Sequence, residues 1–286
     1  MSRIRILHFV SSLSKSSGVM SVIMNYYRYI DRDNVQFDFM FFEDIDNTYE
    51  EEIRNYGGRV YYISKPSLNK AFKQDLSKIL KKDKYIALHI HEVYLTFLLA
   101  PIANKNGISN IITHSHTTMY SDKFISAVRN RLLCLGLKKQ ANHYFACSKA
   151  AGEFLYGRKS LNDDNVVVVN NAVDCQKFRF NQSVRDSTRR NLGLQNHIVI
   201  GHVGRFNEQK NHMFLIEIFA TLKKKENKAK LILVGEGPLF EQVKERINQL
   251  NISKDVILLG KRNDVPDLLQ AMDVFLLPSL FEGLPV

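Results

Sequence analysis

Short apolar runs typical of buried β-strands alternate with helical patterns along this 286-residue chain. Neighbouring parallel strands need a long crossover connection, which a helix normally provides, so this alternation predicts parallel sheets covered by helices. The chain is therefore predicted to be an α/β protein. The predicted strands are 3–10, 35–42, 59–63, 85–90, 110–113, 143–146, 166–169, 198–203, 230–234, 256–259 and 274–277.

The chain length and a change of composition near Asn170 predict two domains. A single core rarely grows to this size, and the segment from Asn170 to Arg190 is polar and basic, as interdomain crossings often are. We place the boundary after residue 178. Residues 1–178 then hold seven predicted strands and residues 179–286 hold four. Because no closing helix follows the last strand, the second domain is expected to be incomplete and the chain truncated near its C-terminus.

Composition favours a folded cytoplasmic protein. Hydrophobic residues make up 45% of the chain and charged residues 24%, which is ordinary for a globular domain. Cys134, Cys147 and Cys175 are odd in number and lack the paired spacing of a zinc site, so a reducing compartment fits best. The first ten residues read as a strand rather than a secretory signal. The longest apolar run, Val93 to Ala103, is about half the length that spans a bilayer.

A net charge of +11 indicates an acidic partner, such as nucleic acid, anionic lipid or a phosphorylated substrate. Residues 123–140 carry five basic residues and no acid, interleaved with apolar side chains. A helix there would have one apolar and one basic side and could lie on an anionic membrane; the alternative is a core helix with a solvated basic face. Aromatic-rich basic motifs of the RNA-binding kind are absent from the sequence, so no nucleic-acid partner is predicted.

The segment Ile198 to Asn211 predicts a strand, a cationic loop and the start of a helix. The strand breaks at Gly204, Arg205 lies in the loop, and the helix is predicted to begin at Lys210. Helix N-termini at the carboxyl ends of parallel strands favour anions. Arg205 can hold two oxygens at once and Lys210 acts as a mobile point charge, so a diphosphate is the expected ligand. The alternative is two solvated cations on an exposed loop.

Two histidine pairs, His89 with His91 and His114 with His116, stand at strand ends with a spacing of two. Side chains two apart on a strand share a face, so each pair could converge near a cleft. A zinc site is one interpretation, but no carboxylate or thiolate joins at ligand spacing, which favours histidines that hydrogen-bond to protein or substrate. A hydroxyl-rich loop leading to Gly18 could cradle a phosphate, although it is not a G-x-G-x-x-G motif.

Several motifs together resemble the retaining glycosyltransferases of family four, of the bacterial capsular and exopolysaccharide branch. The resemblance implies the GT-B architecture, which has two Rossmann-like domains, with acceptor binding on the first and nucleotide-sugar binding on the second. It covers the whole chain. The motifs are NYYRYID (25–31), QFDFM (36–40), THSHT (113–117), ACSKAAGEF (146–154), VVNNAVD (168–174), GRFNEQKN (204–211), LILVGEGPL (231–239) and residues 258–286.

The resemblance implies roles for individual residues. Arg205 and Lys210 match the basic pair on the donor diphosphate, in the motif that begins at Gly204. His116 matches a histidine beside the reacting sugar, and Glu282 matches the first glutamate of E-x7-E, which contacts the donor sugar. The remaining matches concern ligand binding: Gly18 faces the diphosphate, Gly283 and Leu284 offer backbone N–H groups, and Lys261 and Arg262 lie near the nucleobase.

The chain departs from the family pattern at three places. Ser17-Gly18 replaces paired glycines, Asn171-Ala172 replaces Asn-Gly, and the second glutamate of E-x7-E would fall at position 290, past Val286. A D-x-D sequence at Asp44 to Asp46 follows a first-domain strand and is predicted to lie in a solvent loop. No metal site and no cofactor are therefore predicted; the nucleotide sugar is a co-substrate, and catalysis is expected to be metal-independent.

The resulting prediction is a retaining hexosyltransferase in capsular or exopolysaccharide synthesis. Its expected donor is a UDP-sugar, its acceptor is a lipid-diphosphate-linked saccharide, and it would lie on the inner face of the plasma membrane as a peripheral protein. The alternative is a catalytically inactive fragment that binds a nucleotide sugar or a membrane.

Overall fold

The structure is a computed structural model and describes residues 3–121, 123–163 and 165–284. The chain divides into two compact units, Met1–Val173 together with Glu282–Val286, and Asp174–Phe281. The predicted division placed the boundary after residue 178 and residues 282–286 in the second domain, and the observed division differs on both points. The last residues group with the first unit because residues 282–284 hydrogen-bond to Thr118, Ser148 and Asn171.

The first unit is built on a seven-stranded parallel sheet. Its spatial order is β3-β2-β1-β4-β5-β6-β7, so the order reverses between β1 and β4, where open α/β sheets form a crevice at the strand ends. The strands are β1 Ile4–Phe9, β2 Val35–Phe41, β3 Val60–Tyr62, β4 Tyr85–Ile90, β5 Asn110–Ser115, β6 His143–Ala146 and β7 Val166–Val168.

Helices cover both faces of this sheet. Separate apolar clusters hold α3 and α4 on the sheet, and α1 and α2 on the sheet, which is how a parallel sheet buries its two apolar faces. The α-helices are α1 Gly18–Tyr27, α2 Glu50–Asn55, α3 Lys70–Leu80, α4 Thr96–Lys105, α5 Phe124–Leu133, α6 Leu137–Gln140, α7 Lys149–Tyr156 and α8 Arg158–Asn162.

The second unit repeats the design with a four-stranded parallel sheet of order β10-β9-β8-β11. Two apolar clusters again lie on its two faces. The strands are β8 Ile198–Val203, β9 Ala229–Val234, β10 Val256–Leu258 and β11 Val274–Phe275, and the α-helices are α9 Gln182–Asn191, α10 His212–Lys223, α11 Phe240–Gln249 and α12 Val265–Ala271.

The predicted fold class is confirmed, since all eleven predicted strands are present and pair in parallel. One prediction is wrong: the helix after β8 does not begin at Lys210. Residues Glu208–Lys210 form a single 3-10 turn, and α10 begins at His212. Asn211 between them has a φ of 54°, in the left-handed region, which separates the turn from the helix.

A buried carboxylate holds one end of the first sheet together. Asp38 on β2 is fully buried and accepts from Arg5 Nε at 2.9 Å and from Tyr85 Oη at 2.9 Å. The backbone N–H of Arg59 donates to the other carboxylate oxygen at 2.8 Å. Strands β1, β2 and β4 therefore share one charged group whose hydrogen bonds are satisfied.

Candidate functional site

The loops that follow β8 and β9 are hydrogen-bonded to each other. The Phe206 N–H donates to Glu236 O at 3.0 Å, and the Leu239 N–H donates to Phe206 O at 3.0 Å. A Cβ atom on Gly237 would lie 2.4 Å from Phe206 O, so only glycine permits this approach. The backbone between Gly204 and Lys210 is thus fixed by a neighbouring loop of the same unit.

The two cations of this loop differ in surroundings. Arg205 is exposed, whereas Lys210 is half-buried and its Cγ and Cδ atoms lie 3.3 Å from the Cβ position of Gly204. The Asn207 side chain accepts from the Lys210 N–H at 3.2 Å and caps the short turn. Both predicted donor cations therefore belong to one constrained loop at the carboxyl end of β8.

Two buried histidines lie beneath the loop. The His212 ring stacks on Phe206 with a centroid separation of 4.0 Å and meets His202 edge to face at 4.8 Å. His202 Nδ1 lies 2.8 Å from Leu276 O and donates to it. Burial lowers the pKa of His212 to about 3, so its ring is neutral at pH 7. Sequence reasoning missed both residues; a histidine inside the apolar run of β8 was the available signal.

The loop after β10 joins the same edge of the second sheet. The Gly235 N–H donates to Gly260 O at 2.8 Å. Lys261 and Arg262 follow, and both are exposed. Arg262 forms a bidentate pair with Asp264 at 2.8 and 2.6 Å. The predicted nucleobase-side residues thus lie on the loop adjoining the one after β9, with the Arg262 guanidinium held by a local carboxylate.

In the first unit, five histidines from three adjacent strands form one cluster. His8 lies on β1, His89 and His91 at the end of β4, and His114 and His116 at the end of β5. His8 Nδ1 lies 3.0 Å from His91 Nε2, His91 Nδ1 lies 2.8 Å from His116 Nε2, and His114 Nδ1 lies 3.3 Å from His89 Nε2. The predicted convergence of the two histidine pairs is confirmed, and His8 is an additional member.

Burial keeps this cluster neutral. It lowers the pKa of His8 to about 3 and of His116 to about 4, and it lowers the pKa of His89, His91 and His114 well below the ordinary value. Each imidazole then carries one N–H and one lone pair, so the nitrogen pairs can be joined by N–H···N hydrogen bonds.

A cavity of about 120 Å³ opens beside the cluster. His91, His114 and His116 line it, as do Glu92 and Asn130. Burial raises the pKa of the Glu92 carboxyl, although its hydrogen bond with Ser11 acts in the opposite direction. Sequence reasoning missed Glu92 and Asn130, because neither belongs to a recognisable spacing pattern.

The segment Glu282 to Leu284 packs beside His116. The Ser148 hydroxyl donates to Gly283 O at 2.9 Å, and Thr118 Oγ1 donates to Glu282 O at 3.2 Å. A Cβ atom on Gly283 would lie 2.2 Å from His116 O, so glycine is required there. The predicted sugar-side residues His116, Glu282, Gly283 and Leu284 are therefore brought together in the first unit.

The environment of Gly18 differs from that of Gly237 and Gly283. It is the first residue of α1, whose N-cap Ser17 accepts from the Met20 N–H at 3.3 Å. No heavy atom lies within 4 Å of a Cβ placed on Gly18. The protein's own packing does not demand glycine here, and space is open at this helix N-terminus. Asp44 and Asp46 lie in an exposed loop, as predicted.

Comparison with known proteins assigns the family. Residues 16–177 match the family described as Glycosyltransferase Family 4, and residues 184–286 match Glycosyl transferases group 1. The chain belongs to this glycosyltransferase family. The glycosyltransferase is 33% identical over 290 residues to a Bacillus subtilis (strain 168) protein named as glycosyltransferase EpsF, covering 99% of this chain and 75% of EpsF.

Another relative agrees with the family, and a solved structure shares the fold. An Escherichia coli UDP-Gal:alpha-D-GlcNAc-diphosphoundecaprenol alpha-1,3-galactosyltransferase is 29% identical over 219 residues, which cover 74% of this chain and 56% of that enzyme. Anabaena HepE, solved with UDP and glucose, superimposes with a TM-score of 0.77 at 21% identity, covering 97% of this chain and 74% of HepE. The fold of the glycosyltransferase is thereby GT-B.

Within this glycosyltransferase, the predicted site residues fall into two groups. Gly204, Arg205, Lys210, Lys261 and Arg262 lie on loops at the carboxyl edge of the second sheet. The first unit holds the others: Gly18 is the first residue of α1, and Glu282, Gly283 and Leu284 form the segment that packs beside His116. None of the helices that the structure describes within residues 3–284 is long and apolar enough to cross a bilayer.

Proposed function

We propose that this glycosyltransferase moves a hexosyl unit from a UDP-sugar to a lipid-diphosphate-linked saccharide, with retention at the anomeric carbon. The observation that carries the proposal is the loop from Gly204 to Lys210, which presents two cations on a backbone that Glu236 and Gly237 hold in place. A fixed cationic loop at the carboxyl ends of parallel strands suits a diphosphate.

The loop would serve the departing phosphate. In the transfer, the acceptor hydroxyl oxygen bonds to the anomeric carbon on the face that the diphosphate leaves, the sugar–phosphate bond breaks, and the electron pair departs with the nucleoside diphosphate. The hydroxyl proton passes to a base or to the leaving phosphate. Arg205 and Lys210 would stabilise the charge that develops on the phosphate, and such donors are most effective when they need no reorganisation.

The residues around His116 would act at the sugar. His116 and Glu282 are assigned to contact the donor sugar, and the backbone N–H groups of Gly283 and Leu284 to offer hydrogen bonds to the sugar or phosphate. Gly18 leaves open space at a helix N-terminus, which supports its assignment near the diphosphate. Lys261 and Arg262 are assigned to the nucleobase side.

Names of related proteins support the choice of substrates. The Escherichia coli relative is named for UDP-Gal and a GlcNAc-diphosphoundecaprenol acceptor. A Campylobacter jejuni relative, 25% identical over 190 residues, is named as acting on a diphospho-undecaprenol saccharide. HepE was crystallised with UDP-glucose. A uridine nucleotide donor and a lipid-linked acceptor are therefore the substrates we propose here.

A lipid-linked acceptor suggests that the enzyme binds a membrane surface, and α5 carries side chains that suit this contact. Phe124 and Ile125 are 82% and 84% exposed, and Leu132 is 61% exposed. Lys123 and Arg129 are exposed beside them. Exposed apolar side chains flanked by cations favour an anionic lipid surface. We propose that α5 holds the enzyme on the inner face of the plasma membrane as a peripheral protein.

The donor part of the proposal is tested by ligand-dependent thermal stability. A ligand that binds only the native protein raises Tm, so UDP, UDP-glucose and UDP-galactose are expected to raise it more than GDP-mannose. Turnover is then measured as transfer of labelled sugar to a lipid-diphosphate disaccharide in vesicles. A chain whose Tm is indifferent to all four nucleotides would contradict a competent donor site, and binding without turnover would favour a nucleotide-sugar-binding fragment.

A further inference from the structure

We propose that His91, His114 and His116 bind one divalent transition-metal ion of the Zn²⁺ class. Each of these residues offers a ring nitrogen, and the three nitrogens lie within 4.8 Å of one another. All three side chains also line the cavity of the first unit. Three imidazoles with a position left open to a cavity form the usual ligand set of an accessible zinc site.

The hydrogen bonds of the cluster indicate which ring nitrogen of each histidine would bind the ion. His114 Nδ1 faces His89 Nε2 at 3.3 Å, while His114 Nε2 is buried and has no hydrogen-bond partner. A buried nitrogen without a partner is costly, and coordination to an ion would remove that cost. His114 would therefore bind through Nε2 and donate its Nδ1–H to His89.

In His91, both ring nitrogens are hydrogen-bonded to other histidines. His91 Nε2 lies 3.0 Å from His8 Nδ1, which leaves His91 Nδ1 directed at His116 Nε2, 2.8 Å away. The ion would bind these last two nitrogens after they move apart, and the proton that one of them carries would move to the other nitrogen of the same ring. His8 and His89 would then be the outer partners that fix the tautomers of the ligands, a role that metal-bound histidines usually require of a neighbour.

The distances are compatible with a tetrahedral ion after small ring rotations. A Zn–N bond is about 2.0 to 2.1 Å, so two tetrahedral nitrogens stand roughly 3.4 Å apart. One ring nitrogen of each histidine already lies within 4.8 Å of the other two, and His91 Nδ1 and His116 Nε2 must open from 2.8 Å. The described residues contain a second histidine triad, His8, His89 and His91, but His8 and His89 do not line the cavity through which an ion would reach the site.

The metal ligands belong to the first unit, whereas the proposed donor loop belongs to the second. Coordination through Nε2 of His116 leaves Nδ1 as the nitrogen that could contact a sugar, so the two roles of His116 are compatible. The site does not depend on the identity of the nucleotide or the acceptor. Failure of UDP binding would therefore leave the metal proposal intact, and failure of metal binding would leave the donor proposal intact.

The test is a titration of the chelator-treated protein with Zn²⁺ and with Co²⁺. We expect one equivalent of Zn²⁺ to bind with a Kd in the micromolar range or tighter and to raise Tm. Co²⁺ is expected to give the intense visible absorption of a tetrahedral complex. His116→Gln is expected to weaken binding at least 10-fold, and His114→Gln should do the same if it folds, as circular dichroism would establish.

His143→Ala is the matched control, since His143 is an exposed histidine on β6 of the same sheet. It is expected to bind Zn²⁺ like the parent chain. The absence of heat, Tm shift and Co²⁺ absorption would overturn the proposal and leave the cluster as a hydrogen-bonded chain of imidazoles. Binding that His116→Gln leaves unchanged, or that His143→Ala weakens equally, would also overturn it.

Discussion

Gly283 packs so closely against His116 that a Cβ atom on Gly283 would lie 2.2 Å from the His116 carbonyl oxygen and 2.9 Å from Cys147 Sγ. Gly283→Ala must therefore move either the end of the chain or the backbone that carries His116. Displacement of about 1 Å near reacting groups can cost about 10²-fold in rate, and we expect a loss of transfer of that order. Steady-state transfer assays measure it.

Gly136→Ala is the control for this substitution. A Cβ there would meet only Gln140 Nε2 at 3.5 Å, an ordinary contact, and Gly136 has a φ of −93°. Transfer by Gly136→Ala should equal that of the parent chain. If Gly283→Ala also retained full activity, Gly283 would have no part in the arrangement around His116.

Removal of either cation from the loop between Gly204 and Lys210 is expected to lower the rate of transfer. Arg205→Ala and Lys210→Ala should each lower kcat by about 10² to 10³-fold, because each removes a group proposed to stabilise the departing phosphate. Thermal unfolding should change little for the exposed Arg205. Lys225→Ala, at an exposed lysine after α10, is the control for loss of charge. Near-normal kcat in both loop variants would refute the assignment of the donor site.

Replacement of the exposed apolar side chains of α5 is expected to weaken vesicle binding without loss of the fold. The double substitution Phe124→Ser and Ile125→Ser removes two apolar side chains that are more than 80% exposed, so the stability of the fold should be unaffected. Sedimentation with vesicles containing anionic lipid should show at least 10-fold weaker partitioning. Tyr29→Ser, at another largely exposed site, should partition like the parent chain. Equal partitioning of all three proteins would exclude α5 as the contact.

Removal of the buried ion pair between Arg5 and Asp38 in the first sheet is expected to lower the free energy of unfolding substantially. Asp38→Asn would remove the hydrogen-bonded partner charge of Arg5, whose side chain is only 11% exposed, and leave only Asp83 at 3.5 Å. Breaking a buried pair in this way costs about 3 to 5 kcal/mol. Asp33→Asn removes the carboxylate that pairs with the half-exposed Arg3 and should change stability by less than about 1 kcal/mol. Urea unfolding measures both variants, and equal effects would contradict the structural role of Asp38.

Acid should destabilise the second unit through His212. Burial lowers its pKa to about 3, and His202 and Lys210 act in the same direction. The unfolded chain therefore binds a proton that the native ring does not, so stability is complete above about pH 6.5 and falls as the pH drops toward about 3. At pH 5 the loss should be about 1 to 2 kcal/mol. His212→Phe, which keeps a ring against Phe206, should lose less stability between pH 7 and pH 5 than the parent chain. An equal loss in the two proteins would show that His212 is not the cause.

The fold was predictable from the sequence because every strand coincides with an apolar run. The central strands are largely buried, whereas both residues of the edge strand β11 are exposed. The start of α10 was not predictable, since it depends on the left-handed backbone of Asn211 rather than on any hydrophobic pattern. The sequence also did not specify which strands would lie next to each other in the sheet. The membership of His8 in the histidine cluster follows only from the adjacency of β1 and β4, which a single histidine in a strand does not reveal.

The sequence singled out Arg205 and Lys210, the proposed donor cations, because they stand in a recognisable strand-to-helix connection. It did not single out the supporting groups. His202 and His212 look like ordinary members of β8 and α10, and their contact with each other and with Phe206 exists only after folding. Glu92 reaches the cavity because β4 ends beside β5, and no spacing in the sequence indicates that position.

The tight approach of Gly237 to Phe206 has a consequence for how this enzyme could diversify. The hydrogen bonds of Phe206 to the neighbouring loop already hold the backbone beside Arg205, so a donor would lose less affinity in ordering this loop. Mutations could then exchange side chains around this loop and alter the choice of sugar, while the backbone proposed to hold the phosphate is inherited unchanged.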